Sequence, residues 1–589
     1  MNSKIEEINQ HFKVPMYYND HKVEVHKTII TDLELIHTVD PSCNPIYHFY
    51  FNNDNDVSLQ LNKQLVQYYT TDVQFLTDNQ TLLKSYTPLN DSYVDYSPNY
   101  KKIVDIWNEL KIDVGFKERY YFIEWEMMEF LNRSQWFLQF MSVYNLLSPI
   151  FSLLVPIIIL IIPFFIIKMK GLTINVSEYI QILKTVASTN AIGKLFTVQF
   201  SEITSQERVY IIVSAIFYLF SIYQNFMVCY RFNQNMKTIH SHFKELNIYL
   251  THTIRAMEHY YTYASPLLTH SEFNAKLNDK LDVLKNMHKK IECIGEYSLF
   301  NVSKLTEIGY VFACFYELHS DLIYDEAILF SLGFHGYIDC IRGLQSNLSK
   351  RQVSFARYID NSKKTVFKHC YYAPLKDKRP IRNTVKLKQN MIITGPNASG
   401  KTTILKSTLI NILLTQQFGC GFYSDARIKP FHHIHCYLNI PDTSGRDSLF
   451  QAEARRCKDI IDSVQANPND THFCAFDELY SGTNPEEAEK SAVAFMKYLT
   501  KFDNVSCILT THFIKVCKQL AKLRNIGNYR MKTTTKGENR LEYAYLLEKG
   551  ISTVKGGIMV LQDMNYPTEI ILDTATTVAA TATSTHRAT

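Results

Sequence analysis

The sequence predicts an α/β domain in its C-terminal part, preceded by a long helical region and a two-helix transmembrane hairpin. Three observations carry this. Short apolar runs alternate with glycine-bearing turns and helical stretches from about residue 385 onward. Apolar residues recur at steps of three and four from Met236 to Ile294. Two runs, Ser134–Ile167 and Val209–Tyr230, contain no charged residue at all.

The chain has 589 residues, 46% apolar and 20% charged, which excludes intrinsic disorder for most of it and implies three or four structural units. A net charge of +5 is small for that length, so this is not a polybasic protein. Twelve cysteines without a Cys-x-x-Cys pair argue against zinc ribbons and thioredoxin-like chemistry, and suit a reducing compartment. Met1-Asn-Ser-Lys-Ile-Glu-Glu has no apolar run behind a basic head, so no secretory signal is expected. A mean hydropathy of −0.14 excludes a polytopic transporter.

Taken in order, residues 1–133 are rich in Tyr, Asn and Asp and read as an N-terminal domain of unassigned role. Residues 134–231 form the hairpin, with spans at about 143–167 and 209–230. Each is long enough for a hydrocarbon core of roughly 30 Å. Pro149, Pro156 and Pro163 are tolerable in a membrane helix whose neighbours re-satisfy the freed carbonyls. Tyr210, Tyr218, Tyr223 and Tyr230 suit an interfacial belt. The intervening loop holds Lys168, Lys170, Lys184, Lys194 and Arg208, as many as the near flanks, so the basic count does not orient the hairpin. Residues 232–360 are helical, with a turn at 263–266 that predicts an antiparallel pair. Residues 361–575 carry the α/β pattern, and 576–589, Ala/Thr-rich, read as a disordered tail.

The chemistry lies in the α/β region. Met391-Ile-Ile-Thr predicts a strand, and Gly395-Pro396-Asn397-Ala398-Ser399-Gly400-Lys401-Thr402 fits G-x-x-x-x-G-K-[ST] without departure. In such a P-loop, backbone N–H groups curl around phosphate oxygens, and the following helix, from Thr403, aims its N-terminus at the anion. Lys401 neutralises the phosphates of ATP and Thr402 ligates magnesium. Thr471-His-Phe-Cys-Ala-Phe-Asp477-Glu478 is an apolar strand ending in adjacent acids. Asp477 is expected to hold magnesium, and Glu478 to orient and deprotonate the attacking water. Val505-Ser-Cys-Ile-Leu-Thr-Thr-His512 predicts the next buried strand, and places His512 where a side chain senses the γ-phosphate. Phe431-His432-His433-Ile-His435-Cys436 holds four potential metal ligands. On a strand His433 and His435 face one way and His432 and Cys436 the other, so convergence on zinc is not expected.

Gly395–Thr403, Phe476-Asp-Glu-Leu-Tyr-Ser-Gly-Thr-Asn484 and Thr511-His512 resemble the ATPase domain of MutS-type mismatch-repair proteins, an ABC/MutS-type P-loop NTPase. Ile381–Leu387, Asp447–Glu453, Lys549–Ser552, Gly556–Val560 and Tyr566-Pro567 resemble further segments of that family, and 232–360 is similar in pattern to its lever region. The resemblance implies ATP held by Gly395–Thr403, with Asn397 contributing a side chain. It also implies a homodimer in which Ser448 reaches the γ-phosphate of the opposing subunit, and DNA as a partner. The chain departs from the pattern at Tyr480-Ser481, where the family has Gly-Arg, and its first 133 residues lack the family's mismatch-reading motif. Two functions are therefore weighed. One is a membrane-anchored MutS-like ATPase related to mismatch repair or recombination, its ATPase domain cytosolic. The other is a related ATPase driving a membrane process on a protein or lipid partner. An ABC transporter half would carry Leu-Ser-Gly-Gly-Gln before the Asp-Glu strand, and none is present.

Overall fold

The computed structural model describes residues 4–89, 99–171, 175–189, 193–194, 204–295, 297, 302–360, 364–438, 440, 448–536, 540–554, 564, 566–567 and 569–571. The tail from Thr576, the Gly556–Val560 segment and Asp447 lie outside the described residues. The chain forms two compact units. One comprises Met1–Lys4, Asp91–Arg255 and Leu281–Ile328; the other comprises Ile5–Asn90, Ala256–Lys280 and Leu329–Thr589.

The first unit is helical. Gln135–Met169 (α1) is a single 35-residue helix that contains Pro149, Pro156 and Pro163 without ending at any of them. Ser205–Ala264 (α2) is one helix of 60 residues. The charge change at Arg231 therefore does not end the helix, because charged residues propagate a helix as well as apolar ones do. The described parts of α1 and α2 are long and apolar enough to cross a membrane, and their apolar windows are only 17% and 6% buried. The two run antiparallel. Tyr218 Oη donates to Ser152 O at 3.0 Å, and Cys229 Sγ lies 3.8 Å from Leu146 O. Ser271–Glu292 (α3) returns along the outer part of α2, where Thr251 Oγ1 meets His288 Nε2 at 3.0 Å. The foot of α1 is tied to Ile308–Ser320 (α4). Gln139 Nε2 donates to Leu305 O at 2.7 Å, and Gly309 N donates to Gln139 Oε1 at 2.8 Å. Gly309 is required there, since a Cβ would sit 2.4 Å from Gln135 O. In the core of this unit Trp107 Nε1 donates to Asp325 Oδ1 at 2.7 Å, and Lys4 Nζ pairs with Asp325 Oδ2 at 3.0 Å.

The second unit is built on two mixed sheets. The larger contains Asn390–Thr394 (β1), His433–Tyr437 (β2), His472–Asp477 (β3), Val505–Thr511 (β4), Ile526–Lys536 (β5) and Arg540–Lys549 (β6), in the order β6-β5-β1-β4-β3-β2. All neighbours are parallel except β6, which closes the edge antiparallel to β5. Every residue of β1 and β4 is buried, as central parallel strands covered on both faces require. The second sheet has five strands, from Asn383–Lys386, Val366–Cys370, Asp425–Ile428, Ser354–Tyr358 and Cys420–Gly421.

Lys401–Phe418 (α5) is buried on nearly every side. Its polar residues are accordingly paired. Gln416 exchanges hydrogen bonds with the backbone of Phe431 at 2.9 Å in each direction, and Gln417 Oε1 accepts from Tyr47 Oη at 2.6 Å. Tyr50 Oη donates to Cys420 O at 3.0 Å and Gln80 Nε2 to Gly419 O at 2.8 Å. Residues 5–90 are thus part of the core around α5, and the stretch 1–133 is divided between the two units. Helices Leu449–Ala466 (α6) and Pro485–Leu499 (α7) contribute to a core with Ile392, Cys474, Phe476 and Leu509 from the strands.

Candidate functional site

Three adjacent parallel strands, β1, β4 and β3, end at one edge of the sheet. β1 passes at Thr394 into the loop Gly395–Gly400, and α5 begins at Lys401. Two loop residues are left-handed, Ala398 at φ +63° and Gly400 at φ +93°. Beyond β3, Glu478 (φ +49°) and Tyr480 (φ +60°) are left-handed as well. Such conformations cost a non-glycine residue of order 1–3 kcal/mol, and here they gather at the strand ends that carry the candidate chemistry.

The Lys401 side chain is 5% exposed and its ammonium folds back over the loop. It donates to Gly395 O at 3.0 Å and Pro396 O at 3.3 Å, and lies 3.8 Å from Glu478 Oε1. Burial pushes its pKa down, opposed by the charges of Glu478 and Asp477. Thr402 Oγ1 donates to Asp477 Oδ2 at 2.9 Å, and Thr510 Oγ1 donates to the other carboxylate oxygen. Glu478 is placed by its own N–H, which donates to Thr510 O at 3.0 Å. Its carboxylate faces His512 Nδ1 at 3.6 Å. The neighbouring His512 side chain is the main cause that lowers the Glu478 pKa. Burial opposes it, and the charges of His512 and Lys401 assist. Lys401, Thr402, Asp477, Glu478 and His512 are therefore one group, contributed by three chain segments.

The same group fits a magnesium–phosphate ligand. Magnesium takes oxygen ligands, keeps several waters and binds through one or two carboxylates together with phosphate. The Thr402 hydroxyl and Asp477 carboxylate supply such a pair. Ser399 Oγ is buried in the loop with no hydrogen-bond partner among the described residues. A Cβ on Gly395 would come within 2.6 Å of that hydroxyl, so the tight loop needs glycine there.

Ser448 does not join this group. Its hydroxyl caps α6, accepting from Gln451 N at 3.3 Å, while Gln451 Oε1 accepts from Ser448 N at 2.9 Å. Three residues make contacts in this region that the sequence does not reveal. Thr510 holds Asp477. Glu453, 2% exposed on α6, accepts from Ser481 N at 3.0 Å, Ser481 Oγ at 3.0 Å and Gly482 N at 3.2 Å, which clamps the loop after Glu478 to the helix that Ser448 caps. Tyr545 on β6 is an aromatic beside the loop, its ring 3.1 Å from where a Cβ on Gly400 would be.

The histidines lie elsewhere. His433 and His435 on β2 share a face with His472 on β3, with ring centroids 4.6 and 5.4 Å from that of His472. His435 Nε2 meets His472 Nδ1 at 3.1 Å, and burial pushes the His435 pKa down to about 3. His432 instead meets Thr471 Oγ1 at 2.9 Å, and Cys436 Sγ lies 3.7 Å from Asp32 Oδ2. Among the described residues no group of three or more His, Cys, Asp or Glu side chains is arranged to hold a metal ion.

Mixed sheets and the loop between β1 and α5 define a domain of the α/β ATPase type. Residues 391–582 match the family described as MutS domain V. The chain is 28% identical over 208 residues to MutS protein homolog 4 of Mus musculus, covering 33% of this chain and 21% of that protein. It is 26% identical over 213 residues to the DNA mismatch repair protein MutS of Persephonella marina, covering 35% and 24%. It is 24% identical over 241 residues to Endonuclease MutS2 of Lactococcus lactis subsp. cremoris, covering 40% and 30%. The matched part thus spans less than a third of each relative's length. The likeness to MutS-type proteins therefore rests on this domain.

Proposed function

We propose that this chain is a membrane-anchored MutS-type ATPase that binds ATP with magnesium at Gly395–Thr403 and acts on DNA in mismatch repair or recombination. The convergence of Lys401, Thr402, Asp477, Glu478 and His512 at one sheet edge carries this reading. Lys401 exchanges the carbonyls of Gly395 and Pro396 for phosphate oxygens. Thr402 and Asp477 hold magnesium, which neutralises charge on the phosphates when bound. Glu478, kept ionised by His512, orients water and takes its proton. Ser448, at the N-terminus of an 18-residue helix, presents a hydroxyl and a helix end to the phosphate of a second subunit.

The exposed apolar helices α1 and α2 support the anchor. ATP and magnesium are cytosolic, so the α/β domain lies on the cytosolic side, the hairpin returns the chain to that side, and 171–205 faces away. The alternative, a protein or lipid partner without DNA, is favoured by the weak basic character of α3. Of its cluster Lys285, Lys289 and Lys290, the last is already paired with Glu317 at 2.6 Å.

Nucleotide binding and phosphate release by the full chain test the enzyme. Lys401→Ala should abolish binding, whereas Glu478→Gln should keep ATP bound and uncleaved. Wild-type turnover by Glu478→Gln would remove Glu478 from the mechanism. Mixing Ser448→Arg with Lys401→Ala subunits should restore about one working site per mixed dimer if hydrolysis runs across the interface; no recovery would count against it.

A further inference from the structure

The hairpin reading leaves unexplained a band of large apolar side chains just before α1. The 3-10 turn Glu126–Arg133 and its flanks expose Trp125 (61%), Met127 (66%), Phe130 (64%) and Trp136 (88%). With three residues per turn, Met127 and Phe130 stand on one ridge. The chain has three tryptophans, and the third, Trp107, is fully buried and bonded to Asp325. Both exposed tryptophans therefore sit within twelve positions of each other at the start of the first apolar helix.

This band is held in place. Asn132, 2% exposed, donates to Ile123 O at 2.6 Å and accepts from Phe122 N at 3.3 Å and Ile123 N at 3.2 Å, which pins the segment before the turn onto its end. Asn235 on α2 donates to Arg119 O at 2.7 Å, only four residues beyond Arg231. By the hairpin register, Arg231 lies about level with the start of the apolar span on α1, beside exposed Tyr144 and Tyr230. The band thus continues the exposed apolar surface of α1, through Phe140, toward the polar side. Residues 117–133 carry Lys117, Arg119 and Arg133 against Glu118, Glu124, Glu126 and Glu129, so the surface has no cationic excess to select anionic lipid.

Resting on the membrane reading above, we propose that Trp125, Met127, Phe130 and Trp136 form a collar that seats in the headgroup layer of the bilayer, including a zwitterionic one, where α1 enters. Indole rings favour that layer because one edge is polar and the body apolar. The collar sets the depth of the hairpin and holds the first unit against the membrane surface.

The test uses the full chain reconstituted in phosphatidylcholine vesicles, with carbonate-resistant protein recovered by flotation. Lipid brominated near the headgroup end of its acyl chains should quench most of the emission of Trp125 and Trp136. Lipid brominated deeper should quench less, and Trp125→Phe/Trp136→Phe should leave only an unquenched Trp107. Adding phosphatidylglycerol should change none of this. Carbonate-resistant protein whose Trp125 and Trp136 escape both quenchers would overturn the collar while leaving the spans intact. Disulfide-linked dimers through Phe130→Cys, with the same lack of quenching, would assign the surface to a second copy and overturn it as well. Release of the protein by carbonate would instead overturn the membrane reading beneath it.

Discussion

Isoleucines on the two sides of this chain meet opposite fates. In β1 and β4, Ile392, Ile393 and Ile508 are 0% exposed, whereas on α1 Ile157, Ile161 and Ile162 are 50%, 43% and 47% exposed. The apolar runs that hold them look alike in sequence. The strands are buried because helices pack against them. Among the described residues the helix surface is left largely uncovered, which is what the membrane proposal answers. Hydropathy alone thus marks a segment as needing an apolar environment. Only the packing shows whether the protein supplies it.

The largest expected contrast is catalytic. Glu478→Gln should lower turnover by about 10²–10⁴, whereas Ile157→Ala in vesicles should leave phosphate release unchanged. A comparable loss from Ile157→Ala would mean that the hairpin takes part in the chemistry. Next is stability. Leu509→Ala in β4, 1% exposed, should cost about 2–5 kcal/mol, read as a lower melting temperature of the α/β domain. The same truncation at Ile157 should move that transition little, because the side chain is half exposed rather than packed in a core. Equal shifts would collapse the distinction between the two environments.

A smaller effect belongs to Thr510. Thr510→Val removes a hydroxyl donor from the Asp477 carboxylate and should cost about 1–3 kcal/mol. The readout is weaker magnesium-dependent nucleotide binding with nucleotide-free stability less affected. An unchanged magnesium dependence would make Thr510 structural only. The smallest effect concerns pH. The Glu478 pKa is lowered mainly by His512, so this carboxylate favours the folded state above its unfolded value near 4.5, and that contribution is lost as pH falls through the lower folded value. His512→Ala should move the acid limb of the turnover profile upward, toward the ordinary carboxylate range. An unmoved limb would separate Glu478 from His512.

The site was legible where its chemistry is local. Gly395–Thr402 and the Asp477-Glu478 strand end are short patterns whose residues follow one another in the chain. Thr510, Glu453 and Tyr545 were not, because their partners are distant in the chain: Asp477 is 33 positions from Thr510, and Ser481 is 28 from Glu453. No single-sequence period reports such pairings. The same applies to Tyr47, Tyr50 and Gln80, whose partners near Gln417 and Gly419 lie more than 300 positions away. That is why residues 1–133 read as a separate N-terminal domain, although 5–90 build the core around α5. The 60-residue α2 was obscured for a different reason. A change from apolar to charged composition marks where the surroundings change, which is not where a helix stops.

In the proposed function one chain joins a MutS-type ATP site to a bilayer. Flotation of the carbonate-washed full chain with phosphatidylcholine vesicles, followed by phosphate release measured across the gradient, tests it directly. The account predicts that activity floats with the lipid and that Glu478→Gln protein floats without it. Activity left in the dense fractions, or wild-type protein that floats without hydrolysing ATP, would contradict it.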